Sequence, residues 1–372
     1  MKIGLDLRML GGGSGIDRYA SSLAHEILSA NGRIGRHEYV LFLRNQHLAQ
    51  NFRQYDAKIV IANIAHYSVA EQLKLPGILR AEKLDLMHFP HFNAPIFYKR
   101  PFVVTIHDLT HTLFPGRKKS HFFHRLAYYA VFANAIRNSK QIIAVSQSTK
   151  KQIVDYYSID PQKITVIYEG FNQLYKMLDK EEAYRQVAQK FGIQKPFLLY
   201  VGVWRRYKNL PMLAQAFDKL RGRGLDMQLV LAGESDKHYP EIEKQIRLIT
   251  NHKSLITPGR VTDEDLKLLY NAAVLFVLPS LMEGFGLTPL EAAACGTPVA
   301  CSDIPTLREI MGQGAEYFDP NNLENMTDVL LELLKSPKRL EELANLALSR
   351  SKFFSWQQAA AETVMAYEEA LQ

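Results

Sequence analysis

Glu283-Gly284-Phe285-Gly286-Leu287-Thr288-Pro289-Leu290-Glu291 sets two carboxylates eight residues apart, around a glycine-bearing turn and the start of a helix. Upstream, Val274-Leu275-Phe276-Val277-Leu278-Pro279 is a continuous apolar run of the kind needed by a parallel strand buried on both faces. Downstream, Thr288 reads as the N-cap, Pro289 as the first helical residue and Glu291 as the third. Glu283 is therefore expected in a loop beyond a strand's carboxyl end, and Glu291 on the first turn of the next helix. Gly284 and Gly286 let the backbone come close to a ligand and aim N–H groups at it. The helix N-terminus adds unpaired N–H groups and the positive end of a dipole, a seat for phosphate. A second reading stays open for Glu291, because Thr288–Glu291 is also a capping box. Glu283 has no comparable structural duty.

Phosphate at the helix start, flanked by carboxylates suited to hydroxyl groups, describes a site for a nucleotide sugar. The rest of the chain supplies a setting for it. Strand candidates at 2–6, 38–44, 58–62, 85–89, 102–106, 141–145 and 163–168 are interspersed with helical patterns at 16–30, 71–83, 121–138 and 147–157. A second series places strands near 197–202, 227–232, 274–279 and 298–301, with helices near 209–222, 239–250, 263–272, 288–295 and 305–311. Such alternation implies an α/β chain with two doubly wound parallel sheets, whose ligands bind beyond the strands' carboxyl ends. The expected domains are 1–170 and 171–355, with a last helix at 356–372 that returns to the first domain. The stretch 171–195, lacking a clear strand, reads as the linker.

Composition narrows the function classes. With 372 residues, 47% hydrophobic and 22% charged, the chain suits two well-developed cores. It has no apolar run long enough to span a membrane and no signal peptide, so a cytoplasmic protein is expected. Cys295 and Cys301 suggest small buried residues and no disulfide framework or zinc site. Charge is uneven: residues 1–175 hold 22 Lys/Arg against 12 Asp/Glu (net +10), and the remainder holds 23 against 26 (net −3). Only the first half has reason to meet an anionic partner.

Val201-Gly202-Val203-Trp204-Arg205-Arg206-Tyr207-Lys208-Asn209 follows a strand and opens a helix. Cations there are mildly unfavourable for the helix dipole, which argues for a task such as neutralising a departing diphosphate. Lys208 is the first choice, with Arg205 or Arg206 supplying the guanidinium. Gly11-Gly12-Gly13-Ser14-Gly15 joins the first strand to its helix but does not fit G-x-G-x-x-G, so a dinucleotide cofactor is not expected. His107, in Thr105-Ile106-His107-Asp108, ends an apolar strand, and His88 is a secondary acceptor-side candidate. Asp263-Glu264-Asp265 sits where a helix's first turn favours acids, so a metal reading loses to a structural one. Arg117-Lys118-Lys119-Ser120-His121-Phe122-Phe123-His124-Arg125, followed by Tyr128, Tyr129 and Phe132, mixes basic and aromatic residues as an anionic membrane surface would require. A half-buried helix with a basic solvent face fits equally, and no nucleic-acid recognition motif accompanies the segment.

The segment Ser280–Ala300, with the Gly202–Asn209, His107-Asp108 and Gly259–Asp265 elements, resembles glycosyltransferase family 4, the retaining group with the GT-B fold. The similarity extends over nearly the whole chain. It implies two Rossmann-like domains facing across a cleft, no catalytic metal and no cofactor beyond the nucleotide-sugar substrate. By the same resemblance Glu283 contacts the donor sugar's hydroxyls, Glu291 binds the ribose, and the backbone around Phe285, Gly286, Leu287 and Thr288 holds the diphosphate. Gly12 and Gly13 would lie near the donor phosphate, Arg260 and Val261 beside the nucleobase, and His107 by the reacting centre. One departure is Val203, where many members carry arginine directly after the glycine. The resemblance is nearest to mannosyltransferases of bacterial surface-polysaccharide and lipopolysaccharide assembly. GDP-mannose is thus the expected donor, and a lipid-linked or oligosaccharide glycan the expected acceptor, with the enzyme peripheral at the membrane's inner face. A UDP- or ADP-glucose-dependent glucosyltransferase, a fold-sharing epimerase or phosphorylase, and a non-catalytic membrane or nucleic-acid binder are the alternatives.

Overall fold

Apolar strands alternating with amphipathic helices must bury both faces of each sheet, and the chain does so twice. The computed structural model describes residues 1–13, 15–33, 36–114, 122–250 and 253–372, without the side chains of 111 and 122–124. It divides into one unit of Met1–Gly170 with Phe354–Gln372, and a second of Phe171–Phe353.

Among the described residues, the first unit has strands β1 (Lys2–Asp6), β2 (Glu38–Leu43), β3 (Ala57–Ile61), β4 (Leu86–Phe89), β5 (Phe102–Ile106), β6 (Gln141–Ala144) and β7 (Ile164–Val166). They form a parallel sheet in the order β3-β2-β1-β4-β5-β6-β7. The central strands are mostly apolar, and β4 and β5 are buried at every position, His88 and Thr105 included. The second unit carries β8 (Phe197–Val201), β9 (Gln228–Ala232), β10 (Leu255–Gly259), β11 (Leu275–Leu278), β12 (Val299–Ser302) and β13 (Glu316–Phe318), in the order β10-β9-β8-β11-β12-β13, again parallel. In both sheets the chain order reverses direction once, between β1 and β4 and between β8 and β11. Helices leave those neighbours towards opposite faces, opening a crevice beyond their carboxyl ends.

Three expectations need correction. The stretch 171–195 is no linker: it contains the helix Lys180–Phe191, capped by Asp179 and ended by Gly192 in the left-handed region. It packs within the second unit, where Lys190 pairs with Asp265 and Leu178 N donates to Asn271. The helix expected over 71–83 is two, Val69–Leu73 and Leu75–Ala81, because Pro76 has no N–H for a continuous ladder. β10 and β13 escape sequence reading because both are partly exposed edge strands; β13 has only three residues, and β10 contains Pro258.

The helix Trp356–Glu369 packs against Gly15–Ala30 of the first unit. Trp356 meets the Tyr19 ring edge-on at 5.6 Å. A buried polar chain completes the join: Tyr19 Oη lies 3.0 Å from Thr105 Oγ1, which lies 2.9 Å from His88 Nε2, and His88 Nδ1 is 2.6 Å from Tyr367 Oη. Burial, helped by the nearby His107, pushes His88 down to about 3. His88 is therefore a neutral core residue with both nitrogens engaged, and its expected acceptor-side role does not stand. Close approach is also built into Gly170, where an added Cβ would lie 2.2 Å from Trp356 N. Gly170→Ala should therefore lower stability by about 1–3 kcal/mol through overpacking. Gly222→Ala, whose methyl meets nothing within 4 Å, should leave the unfolding midpoint undiminished. Thermal denaturation of both variants checks this.

Candidate functional site

The two strands at the second unit's reversal point, β8 and β11, end in loops that interlock. Leu281 N donates to Tyr207 O at 2.7 Å. Gly233 (φ +131°) lets the neighbouring β9 loop lie against this one, since a Cβ there would fall 2.2 Å from Gly202 O. Lys208 ends a short 3-10 turn, and its Nζ donates to Glu283 Oε1 at 2.6 Å. The side chains are only 17% and 13% exposed. The fold has thus brought together two candidates 75 residues apart in sequence. Burial opposes the ammonium charge, but the Glu283 carboxylate, with the Tyr207 and Tyr200 hydroxyls, holds Lys208 well above the ordinary lysine value. Thr306 Oγ1, on the helix Pro305–Met311 that follows β12, donates to Glu283 O at 2.9 Å and fixes the loop. Glu283 therefore does have a structural partner, one that sequence alone did not reveal.

The two arginines are drawn to other carboxylates. Arg205 Nε donates to Asp236 Oδ2 at 3.1 Å, and Arg206 Nη2 to Glu241 Oε1 at 3.0 Å. Arg205 is the less exposed of the two, at 41% of its side chain against 61%.

The helix after Glu283 starts two residues earlier than its cap residues suggested, running Leu287–Ala294 with Gly286 as its N-cap at φ +107°. Thr288 is thus inside the first turn, and Glu291 is the fifth helical residue, past the third-position capping box. The Gly286 conformation is one that L residues rarely adopt, and glycine supplies it where the chain enters the helix. Leu287 and Thr288 are half-buried there, while Phe285 tucks its ring inside. Glu291 is 2% exposed, and its Oε2 accepts from Tyr270 Oη at 2.9 Å. Arg260 and Val261 lie in the loop between β10 and the helix Asp263–Ala272, with Arg260 exposed. In the acidic run, Asp263 accepts from Tyr175 and Asp265 from Lys190. Cys295 and Cys301 are both buried free thiols.

In the first unit, His107 follows β5 and is held from both sides. Its Nε2 is 2.9 Å from Pro90 O and its Nδ1 2.9 Å from Glu169 Oε1. A carbonyl oxygen only accepts, so Nε2 carries a proton; a carboxylate likewise only accepts, so Nδ1 carries one too. Burial works against that charge, but the Glu169 hydrogen bond and charge, with Pro90 and Asp108, raise His107 above its ordinary value. An imidazolium with both protons engaged can orient a ligand but has no lone pair with which to act as a base. Glu169 was not singled out from sequence. The signal was present, because Glu169-Gly170 follows an apolar strand just as Glu283-Gly284 does. Gly13 has φ +64°, and its N–H donates to Asp17 Oδ2 at 2.7 Å, so a carboxylate occupies the position expected for phosphate; Gly12 lies beside it.

Of the proposed membrane segment, residues 117–121 lie outside the described residues, as do the side chains of 122–124. Tyr128 and Phe132 are core residues, Tyr128 meeting Phe92 edge-on and Phe132 stacking with Tyr157, so they are not part of an outward aromatic face. No described helix is long and apolar enough to cross a membrane.

Comparison with known proteins follows this geometry. The family described as "Glycosyltransferase Family 4" matches residues 13–173, and "Glycosyl transferases group 1" matches 180–350. O-antigen chain mannosyltransferase B of Escherichia coli is 29% identical over 312 residues, 82% of this chain and 80% of that protein. O-antigen chain mannosyltransferase RfbU of Salmonella typhimurium is 26% identical over 282 residues, 75% of this chain and 73% of that one. Among solved structures, Anabaena HepE in complex with UDP and glucose has a TM-score of 0.77 at 17% identity, covering 99% of this chain and 100% of its own. That likeness is one of fold.

Two outcomes test the electrostatics. A stability double-mutant cycle on Lys208→Met and Glu283→Gln should give a coupling of about 1–3 kcal/mol, as expected of contacting groups. For His107, whose folded-state value is raised, the stabilisation is complete below about pH 6.5 and is lost as pH climbs through the raised value. Denaturant titrations across that range should show the loss in the wild type and a flatter profile in Glu169→Gln.

Proposed function

This chain belongs to glycosyltransferase family 4, and on that premise we propose that it moves a mannosyl unit from GDP-mannose to a hydroxyl of a growing surface glycan, with retention at the anomeric carbon. The observation that carries the reading is the Lys208–Glu283 pair, set at the β8/β11 reversal point beside the N-terminus of Leu287–Ala294. A diphosphate offers Lys208 a stronger counter-charge than one carboxylate, and the same exchange frees Glu283 to accept hydrogen bonds from sugar hydroxyls. The first-turn N–H groups add to the stabilisation of charge on the departing phosphate. Arg205 supplies a guanidinium by releasing Asp236, Glu291 holds the ribose, and Arg260 and Val261 border the base. Mannose is favoured by the names of the two curated relatives, both O-antigen mannosyltransferases.

No side chain at this site is an evident covalent nucleophile, which favours attack from the face the leaving group departs. In that step the acceptor oxygen bonds to the anomeric carbon as the carbon–oxygen bond to phosphate breaks. The acceptor's proton passes to the departing phosphate, and the nucleoside diphosphate leaves. The reaction as written needs no metal or cofactor. The acceptor side is assigned to the first unit, with His107 as an orienting cation. A lipid-linked glycan is the proposed acceptor, met from the cytoplasmic face of a membrane.

Thermal stabilisation by GDP-mannose, GDP, UDP-glucose and ADP-glucose tests the donor. A ligand at 100 times its dissociation constant adds about 2.7 kcal/mol, so GDP-mannose should raise the midpoint selectively. Selective stabilisation by UDP-glucose or ADP-glucose would overturn the mannose assignment in favour of glucosyl transfer. Glu283→Ala and Lys208→Ala should each cut transfer by about 100-fold or more while the protein stays folded. Undiminished transfer in either variant removes the role given to that residue.

A further inference from the structure

The reversal point of the first sheet holds a second cluster of chemistry. Arg8, fully buried, donates through Nε and Nη2 to Asp6 at 2.8 and 2.7 Å, and also from Nη2 to Glu71 Oε1 at 2.8 Å. Glu71 Oε2 accepts from Asn93 Nδ2 at 2.6 Å and from Tyr67 N at 2.8 Å. The cluster contains one guanidinium against two carboxylates, so its surroundings repel phosphate and favour neutral hydrogen-bond donors. Beside it, beyond the ends of β1 and β4, is a niche with room for a single water-sized group, lined by Asp6, His66, Phe89, Pro90, His91 and Asn93.

Two neighbouring residues, His66 in its lining and Tyr67 next in sequence, bear on what the niche can take. His66 Nδ1 lies 3.2 Å from Glu71 Oε1 without hydrogen-bond geometry, and neither of its buried ring nitrogens has a hydrogen-bond partner. An unsatisfied buried polar nitrogen is costly unless something completes it. Tyr67 adopts φ +57°, which is unfavourable for a bulky residue, and yet its ring is not buried by that effort: the residue is 58% exposed. The ring stands edge-on to His91 at 6.1 Å, and His91 in turn lies parallel to His107 at 6.5 Å. Pro90 belongs to both places, lining the niche while its carbonyl accepts from His107.

We propose that this niche takes one hydroxyl of a neutral glycan, hydrogen-bonded to His66 and Asp6, while the sugar ring rests on Tyr67. The inference extends the transferase reading by assigning the acceptor sugar to these residues. An aromatic face with polar groups at its edge suits a pyranose, whose C–H face is apolar and whose rim is hydroxylated. The excess negative charge excludes the donor's diphosphate, so this subsite does not duplicate the one at Lys208.

The test uses the full chain, with methyl α-mannopyranoside as the probe, read by saturation transfer to its ring protons, and inorganic phosphate added as a competitor. The wild type should bind the glycoside at up to about 100 mM, and phosphate should not displace it. His66→Ala and Tyr67→Gly should each weaken glycoside binding about tenfold, the scale of one lost hydrogen bond or contact. Tyr67→Gly should meanwhile unfold no more easily than the wild type, because glycine accepts the positive φ. Both variants should keep the nucleotide-induced thermal shift. Unchanged glycoside binding in the two variants, or none in the wild type, overturns the proposal. Loss of the nucleotide shift in the wild type would instead strike the transferase reading.

Discussion

Parallel pairing imposes one rule on this protein: every strand of a sheet delivers its following loop to the same edge. With the chain order reversing once in each sheet, between β1 and β4 and between β8 and β11, two loops at each reversal point have no helix between them. Side chains far apart in sequence become neighbours there without further design. Lys208 meets Glu283 across the β8/β11 ends, and Arg8 gathers Asp6 and Glu71 beside the β1/β4 ends. The glycines at 202, 233 and 286 serve the same rule, letting backbone pass where a Cβ would collide or a left-handed turn is needed.

The two charged centres solve the problem of buried charge differently. Arg8 is locked, with its donors spent on Asp6, Glu71 and Ile64 O, and it has no exposure through which to exchange partners. Lys208 and Glu283 form one direct contact and retain some access to solvent, so either can turn to a better partner. The first arrangement suits shape and local charge; the second suits a site whose partners are traded during a reaction cycle. His107 belongs with the first kind, since the carbonyl and carboxylate beside it hold both ring protons.

Much of this was legible in the sequence, and the parts that were not share a physical cause. Apolar runs such as Phe276–Leu278 and acid–glycine pairs after them are local signals, so the strands, the Glu283 loop and the His107 strand end could be read directly. Partnerships are not local. Nothing near Glu283 in sequence announces Lys208, and nothing near His107 announces Glu169, 62 residues away. Edge strands β10 and β13 are half-exposed, so burial leaves little apolar pattern in them. Thr288 misled for a different reason: threonine before proline is a good cap, but Gly286 at φ +107° had already begun the helix. Tyr128 and Phe132 left two readings open because an aromatic residue on a basic helix looks the same in sequence whether it faces core or solvent, and both face the core.

The return of residues 354–372 to the first unit also sets an order of assembly. A ribosome releases residues 1–170 well before it makes Trp356 and Tyr367, yet these two close the packing around Tyr19, Gly170 and His88. The second unit, contiguous from 171 to 353, is complete in the chain before the first one is. During synthesis the usual N-terminal-first sequence is therefore inverted, and the first unit waits with an open flank until the final helix arrives. The unit that holds His88 and His107 is finished last, so a nascent chain contains all of the second unit before it contains all of the first.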